Sequence, residues 1–127
     1  MAKALGGSEI VALVSRADKV AFVEDLGASA IVTDTSSSYA AQAKDAAGGE
    51  FDIILNSVAG STISQDLEVL APFDTLVVFG IASDFPGVTY SNQLHLTSRM
   101  VTGYSFGNLR KNRPELAAPL MEAALDL

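Results

Sequence analysis

Short apolar runs alternate along this chain with stretches of helical spacing. The runs are Glu9–Ser15, Ala30–Asp34, Phe51–Ser57, Thr75–Gly80 and Met100–Tyr104. Each is rich in Val, Ile or Leu and short enough to be a strand. The intervening segments repeat their apolar residues every three or four positions, as one face of a helix requires. Val20, Val23 and Leu26 form such a stripe between Asp18, which suits a helix start, and Gly27, which ends it. Tyr39, Ala40, Ala43 and Ala47 follow a candidate cap at Ser36–Ser38 and stop at Gly48-Gly49. Ile63, Leu67 and Leu70 lie between a cap at Ser61 or Thr62 and a stop at Pro72. After loop-like residues 83–92, a short helix is expected over Gln93–Ser98. A last helix opens at Pro114 with Leu116, Leu120, Ala124 and Leu127 on one face, and Pro119 should kink it or delay its start. Met1–Leu5 reads as the last turn of a helix closed by Gly6 and Gly7.

Strand–helix alternation of this kind implies α/β architecture: a parallel sheet between two helix layers, with ligands at the carboxyl ends of the strands. The 127 residues suffice for one domain, taken here as 1–127. A hydrophobic content of 49% fits strands covered on both faces, or apolar surface meant for a neighbour. The net charge of −7 argues against nucleic acid as a partner. No apolar run approaches the ~20 residues of a membrane helix, and Met1–Glu9 does not resemble a signal peptide, so a cytoplasmic protein with no membrane partner is expected. Cysteine is absent and His95 is the only histidine. That set does not make a zinc site, which takes three or four ligands.

The order AKALGG, EIVALVSR, DK, LGA, VTD, FDIILNSVAG, LEVLAP, TLVVFG, TGYS resembles the cofactor-binding domain of medium-chain dehydrogenases/reductases. Within that family it is most similar to the zinc-free quinone oxidoreductases and the enoyl thioester reductases. The resemblance covers nearly the whole chain. It implies a Rossmann-like domain whose full form has six strands in the order 3-2-1-4-5-6. The family's first strand, its glycine-rich turn and most of the next helix have no counterpart ahead of Glu9, where only eight residues stand. Its substrate domain has none either. Loss of a central strand should expose two edges. Two remedies are open, closure into one five-stranded sheet of order 2-1-3-4-5 or filling of the gap by a swapped second chain, and closure is the expected one because it needs no partner.

The resemblance also implies a site. Relatives that use NAD place an acidic residue at the end of the strand that here ends in Ser15, to hold the ribose 2′-hydroxyl. Ser15, Arg16 and nearby Lys19 suit a 2′-phosphate instead, and so NADPH, with binding expected to be weak or lost without the glycine-rich turn. Asn56, Ser57 and Gly60 match the turn beside the cofactor's ribose and diphosphate. Phe79, Gly80 and Ile81, with Gly103 and Tyr104, match the stretches bordering the nicotinamide. Each group also has a plain structural reading: a solvated charged turn at 15–19, an ordinary strand-to-helix turn at 56–60, strand termination at 79–81 and 103–105, and a core role for Tyr104.

Two functions therefore stand open. One is the cofactor domain of an NADPH-dependent oxidoreductase that reduces quinones or activated double bonds by hydride transfer, inactive as this fragment alone. The other is a non-catalytic module that binds a nucleotide or associates with itself. The family commonly pairs its last strand with a second subunit, so the resemblance implies a homodimer through Met100–Tyr104.

Overall fold

The computed structural model describes residues 2–32, 38–83 and 85–126. The strands are β1 (Val11–Val14), β2 (Ser29–Val32), β3 (Phe51–Asn56), β4 (Leu70–Val78) and β5 (Met100–Gly103). The helices are α1 (Val20–Asp25), led by a 3-10 turn at Ala17–Lys19, α2 (Ala40–Ala47), α3 (Thr62–Val69), α4 (Ser91–His95), α5 (Phe106–Asn112) and α6 (Pro114–Leu125). Each of the five apolar runs holds a strand. Asp34 and most of the Ser36–Ser38 cap lie outside the described residues, as does Leu127.

Glycine ends the helices where expected. Gly27 and Gly48 take φ of 85° and 70°, the left-handed region that a side chain disfavours. The N-terminal turn is closed by a Schellman pair: Gly7 N donates to Ala2 O at 3.0 Å and Gly6 N to Lys3 O at 3.1 Å. α4 begins two residues earlier than expected, because the Gln93 side chain accepts from Tyr90 N at 2.9 Å and caps the helix there. α5 was not foreseen; Ser105 starts it by accepting from Asn108 N. α6 begins at Pro114 and runs through Pro119, so its start is not delayed.

Among the described residues all the strand pairs are parallel, but the expected single sheet of order 2-1-3-4-5 does not form. β1 pairs with β2, and β3–β4–β5 form a separate sheet. The partial orders agree with the expectation, and only the joint between β1 and β3 is missing. The halves meet through side chains on the helix layer and not through a backbone ladder. Val11 of β1 and Phe51 of β3 pack against one cluster of Ile31, Tyr39 and Ala43. Tyr39 is also bonded to α3 through Gln65 and Asp66. β1 and β3 are thus joined across α2, with the edge between them left unpaired among the described residues.

The main core lies on the α3 face of the larger sheet. Ile63 and Leu67 of α3 meet Leu70 and Leu76 of β4 and Ala59, with Ile54, Val78, Leu94 and Val101 around them. Leu76 is 0% exposed. The opposite face is barer, with Ile53 65% and Leu55 64% exposed. Coverage of both faces, expected from the continuous apolar runs, is therefore not met at β3.

β4 also starts earlier than expected, at Leu70 directly after α3. Leu70 pairs with Phe51, and the ladder resumes only at Thr75 opposite Ile53. The residues between are bulged, and Pro72, which has no N–H to give, sits in that break. Phe73 turns the chain there with φ of 70°, its ring 74% exposed and its N bonded to Ser98 O. A bulky residue is strained in this conformation. Phe73→Gly should therefore raise stability by about 0.5–1 kcal/mol, the relief of the left-handed backbone less the entropy cost of glycine. Urea denaturation checks this, and a loss of stability would mean that the ring packs more than its exposure indicates.

Candidate functional site

The site is built from strand ends. At the carboxyl end of β3 the chain turns back into α3, and the turn depends on Asn56, which is 6% exposed. The Asn56 Oδ1 accepts from Val58 N at 2.8 Å and Ala59 N at 2.7 Å. Its Nδ2 donates to Thr62 Oγ1 at 2.7 Å and to Asp66 Oδ2. Thr62 Oγ1 passes its own hydrogen to Ala59 O at 2.7 Å. Ala59 and Gly60 both take left-handed φ, 60° and 63°, which reverses the chain into α3.

The same turn is joined to the stretch after β4. Phe79 N donates to Asn56 O at 2.9 Å, Ala82 N to Ser57 O at 3.1 Å and Ser83 N to Val58 O at 2.9 Å. Gly80 sits at this seam. A Cβ built on it would lie 2.6 Å from Ser57 O, so two backbones touch where only glycine fits. Tyr104 N donates to Val78 O at 2.9 Å and brings the end of β5 alongside. Asn56, Ser57, Gly60, Phe79, Gly80, Ile81, Gly103 and Tyr104 are thus gathered on one sheet edge. Phe79, Ile81 and Tyr104 are exposed there, and a Cβ on Gly103 would meet open space. Beside this edge an open cleft of about 290 Å³ is lined by Gly60, Ser61, Ser64, Phe85, Pro86 and Val88.

Ser15, Arg16 and Lys19 follow β1 and belong to the other, two-stranded sheet, so they do not join this seam. All three are exposed. Arg16 grips Asp18 with both arms of its guanidinium, Nε to Oδ1 at 2.9 Å and Nη2 to Oδ2 at 2.7 Å. This pair raises the pKa of Arg16 and lowers that of Asp18. An anion approaching Arg16 therefore competes with Asp18.

Behind the Asn56 turn lies a carboxylate that the sequence analysis did not single out. Asp66 of α3 is 4% exposed and accepts from Tyr39 Oη at 2.6 Å as well as from Asn56. Burial raises its pKa, opposed by the hydrogen bonds from Tyr39 and Asn56. Burial, then the neighbouring carboxylate, raises the Tyr39 hydroxyl. The signal was present in the spacing: Asp66 lies four residues after Thr62, beside Ile63 and Leu67 on the face that α3 buries.

Among the described residues no group of three or more His, Cys, Asp or Glu is placed to hold a metal ion. With no cysteine in the chain and one histidine, the donor set does not fit zinc. No helix among the described residues is long and apolar enough to cross a membrane.

The sequence matches the zinc-binding dehydrogenase family over residues 1–123. It is 26% identical over 124 residues to a highly reducing polyketide synthase of Aspergillus terreus, covering 95% of this chain and 5% of that protein. The fold is similar to that of a quinone oxidoreductase of Pseudomonas syringae pv. tomato DC3000, with a TM-score of 0.75, 26% identity and coverage of 95% of this chain and 38% of that one. A mycobacterial quinone oxidoreductase shares the fold with a TM-score of 0.77 at 23% identity, over 95% of this chain and 38% of its own. The chain therefore spans well under half the length of these oxidoreductases. The match along nearly its whole length and the shared α/β architecture mean that the chain belongs to the zinc-binding dehydrogenase family, among the medium-chain dehydrogenases/reductases.

Proposed function

We propose that residues 1–127 form the dinucleotide-binding part of an NADPH-dependent oxidoreductase that reduces an activated double bond or a quinone. The observation that carries this reading is the seam at Gly80. Three strand ends and a tight turn converge there, apolar side chains stay exposed, and open space faces Gly103. Parallel α/β sheets place ligands at such edges. In this reading Asn56, Ser57 and Gly60 border the ribose and diphosphate. Phe79, Gly80, Ile81, Gly103 and Tyr104 border the nicotinamide. Bound NADPH supplies the hydride, and the chain's own residues hold and orient it. The match to a highly reducing polyketide synthase favours an enoyl thioester over a quinone as substrate. The chain spans 38% of the quinone oxidoreductases it resembles, and turnover is assigned to a polypeptide of that full length. Among the described residues β5 is paired on one side only, which supports a homodimer through that edge. A cytoplasmic location belongs to the same reading.

Cofactor choice is assigned to Ser15, Arg16 and Lys19. A charge-assisted contact to phosphate contributes about 1.5–3 kcal/mol. Arg16→Ala should therefore weaken NADPH by roughly ten-fold or more and leave NADH nearly unchanged. Asp18→Ala should act in the opposite sense, because it frees the guanidinium and removes a negative charge from the phosphate's approach. Calorimetric titration with both cofactors at low salt tests the pair. Equal losses for NADPH and NADH in Arg16→Ala would remove the 2′-phosphate assignment, and absence of NADPH binding at millimolar concentration would remove the dinucleotide reading for this chain.

A further inference from the structure

We propose that Asp66 is a positioning residue for the Asn56–Gly60 turn: it fixes which way the Asn56 amide points, and so sets the backbone that the preceding reading places beside the cofactor.

A carboxamide is nearly symmetric in shape, so its partners must decide its orientation. Here they leave one answer. Val58 N and Ala59 N can only donate, so they need the Asn56 oxygen. The Asp66 oxygens accept from Asn56 and Tyr39, so they need the Asn56 nitrogen. Thr62 is consistent with both, because its hydroxyl takes a hydrogen from Asn56 and gives one to Ala59 O. Every hydrogen-bonding position of the amide is then occupied. All four side chains are buried, so water is not on hand to replace a lost partner. Tyr39 holds the carboxylate from the far side and is itself anchored through its N to Gln65 Oε1 at 2.9 Å.

The effect reaches past the turn. With Val58 N and Ala59 N drawn inward to Asn56, the carbonyls of Ser57 and Val58 face the stretch after β4 and accept from Ala82 N and Ser83 N. One buried carboxylate thereby orders two of the segments that meet at Gly80. Asp66 lies behind the turn and acts through Asn56.

The test exchanges the two groups. Asn56→Asp alone sets one carboxylate against another in a buried site. Adding Asp66→Asn restores complementarity except at Ala59 O, which gives up its bond from Thr62. Asp at 56 would accept from Val58 N, Ala59 N, the new amide and the Thr62 hydroxyl, whose hydrogen turns to it from Ala59 O, and the new amide's oxygen would accept from Tyr39. Amide hydrogen exchange is read on the 127-residue chain, with Val77 and Val78 of β4 as the reference for global opening. Asn56→Asp should speed exchange at Val58 and Ala59 by about a hundred-fold, as expected for a buried polar group left without its partner. The double variant should return both to within about ten-fold of the parent, while Val77 and Val78 stay protected throughout. If Asn56→Asp does not fold, recovery of a folded chain in the double variant is the supporting result. Unchanged exchange in Asn56→Asp, or a double variant no better than the single, would overturn the proposal. NADPH titration of the double variant separates this from the reading on which it rests. A restored turn with weakened NADPH binding fits both, because the swap brings a negative charge to the strand end. A restored turn with NADPH binding unaltered keeps the positioning role and removes the turn from the diphosphate site.

Discussion

Truncation of Leu76 to alanine is expected to cost about 2–5 kcal/mol, the range for deleting a fully buried leucine side chain. Leu76 is 0% exposed and lies in the central strand of the larger sheet, against Ala59, Ile63, Leu67 and Leu70. Its neighbours belong to three different segments and cannot all move in to fill the space, so a cavity term adds to the lost transfer energy. A domain of this size has about 5–15 kcal/mol in total, and such a loss is a large part of it. Leu55→Ala is the matched control: the same chemistry on the neighbouring strand, with the side chain 64% exposed. It should cost less than about 1 kcal/mol. Urea denaturation of both variants decides the matter. A larger loss at Leu55 than at Leu76 would mean that the principal core lies on the other face of the sheet.

The second large effect is expected from a single added methyl. Gly80→Ala places a Cβ 2.6 Å from Ser57 O and 3.1 Å from Ser57 Cα. These are backbone atoms, and no flexible side chain can give way. The clash must separate the β3 turn from the stretch after β4, at a cost of about 1–3 kcal/mol. It should also abolish saturable NADPH binding, because both borders of the proposed site shift. Gly103→Ala provides the contrast, since nothing lies within 4 Å of a Cβ there, and its stability should be almost unchanged. Amide shifts of Ser57–Gly60 in the two variants report the displacement. Retained shifts in Gly80→Ala would mean that the two segments are not locked together as described.

The strands and most of the helices were legible because period and punctuation agree locally. Val20, Val23 and Leu26 repeat at helical spacing and stop at a glycine that does adopt positive φ. The boundary between α3 and β4 was not legible. Leu70 fits the helical stripe of Ile63 and Leu67 equally well as it fits the strand, and only its pairing with Phe51 decides. The bulge at Phe73 was hidden because a left-handed turn leads one to look for glycine. The open joint between β1 and β3 could not be read at all. Edge pairing depends on where α2 holds each half, and that is set by contacts between residues far apart in sequence. At the site, the exposed strand-end residues were legible by position, whereas Asp66 was concealed beside Ile63 and Leu67 on the buried face of α3.

The open joint also bears on how the chain holds together under load. Hydrogen-bonded ladders make a sheet fail as one piece, and among the described residues no ladder crosses the middle. The halves are coupled instead through α2, by the Tyr39 contacts to Gln65 and Asp66 and by Phe51 against the Ile31–Ala43 cluster. Such a connection behaves as a hinge, and the β1–β2 half is free to open as its own cooperative unit below the global unfolding energy. Arg16 rides on that half, and Gly80 on the other. A dinucleotide reaching from one to the other would act as a clasp across the hinge, and its binding energy would add to the resistance of the weaker half to opening.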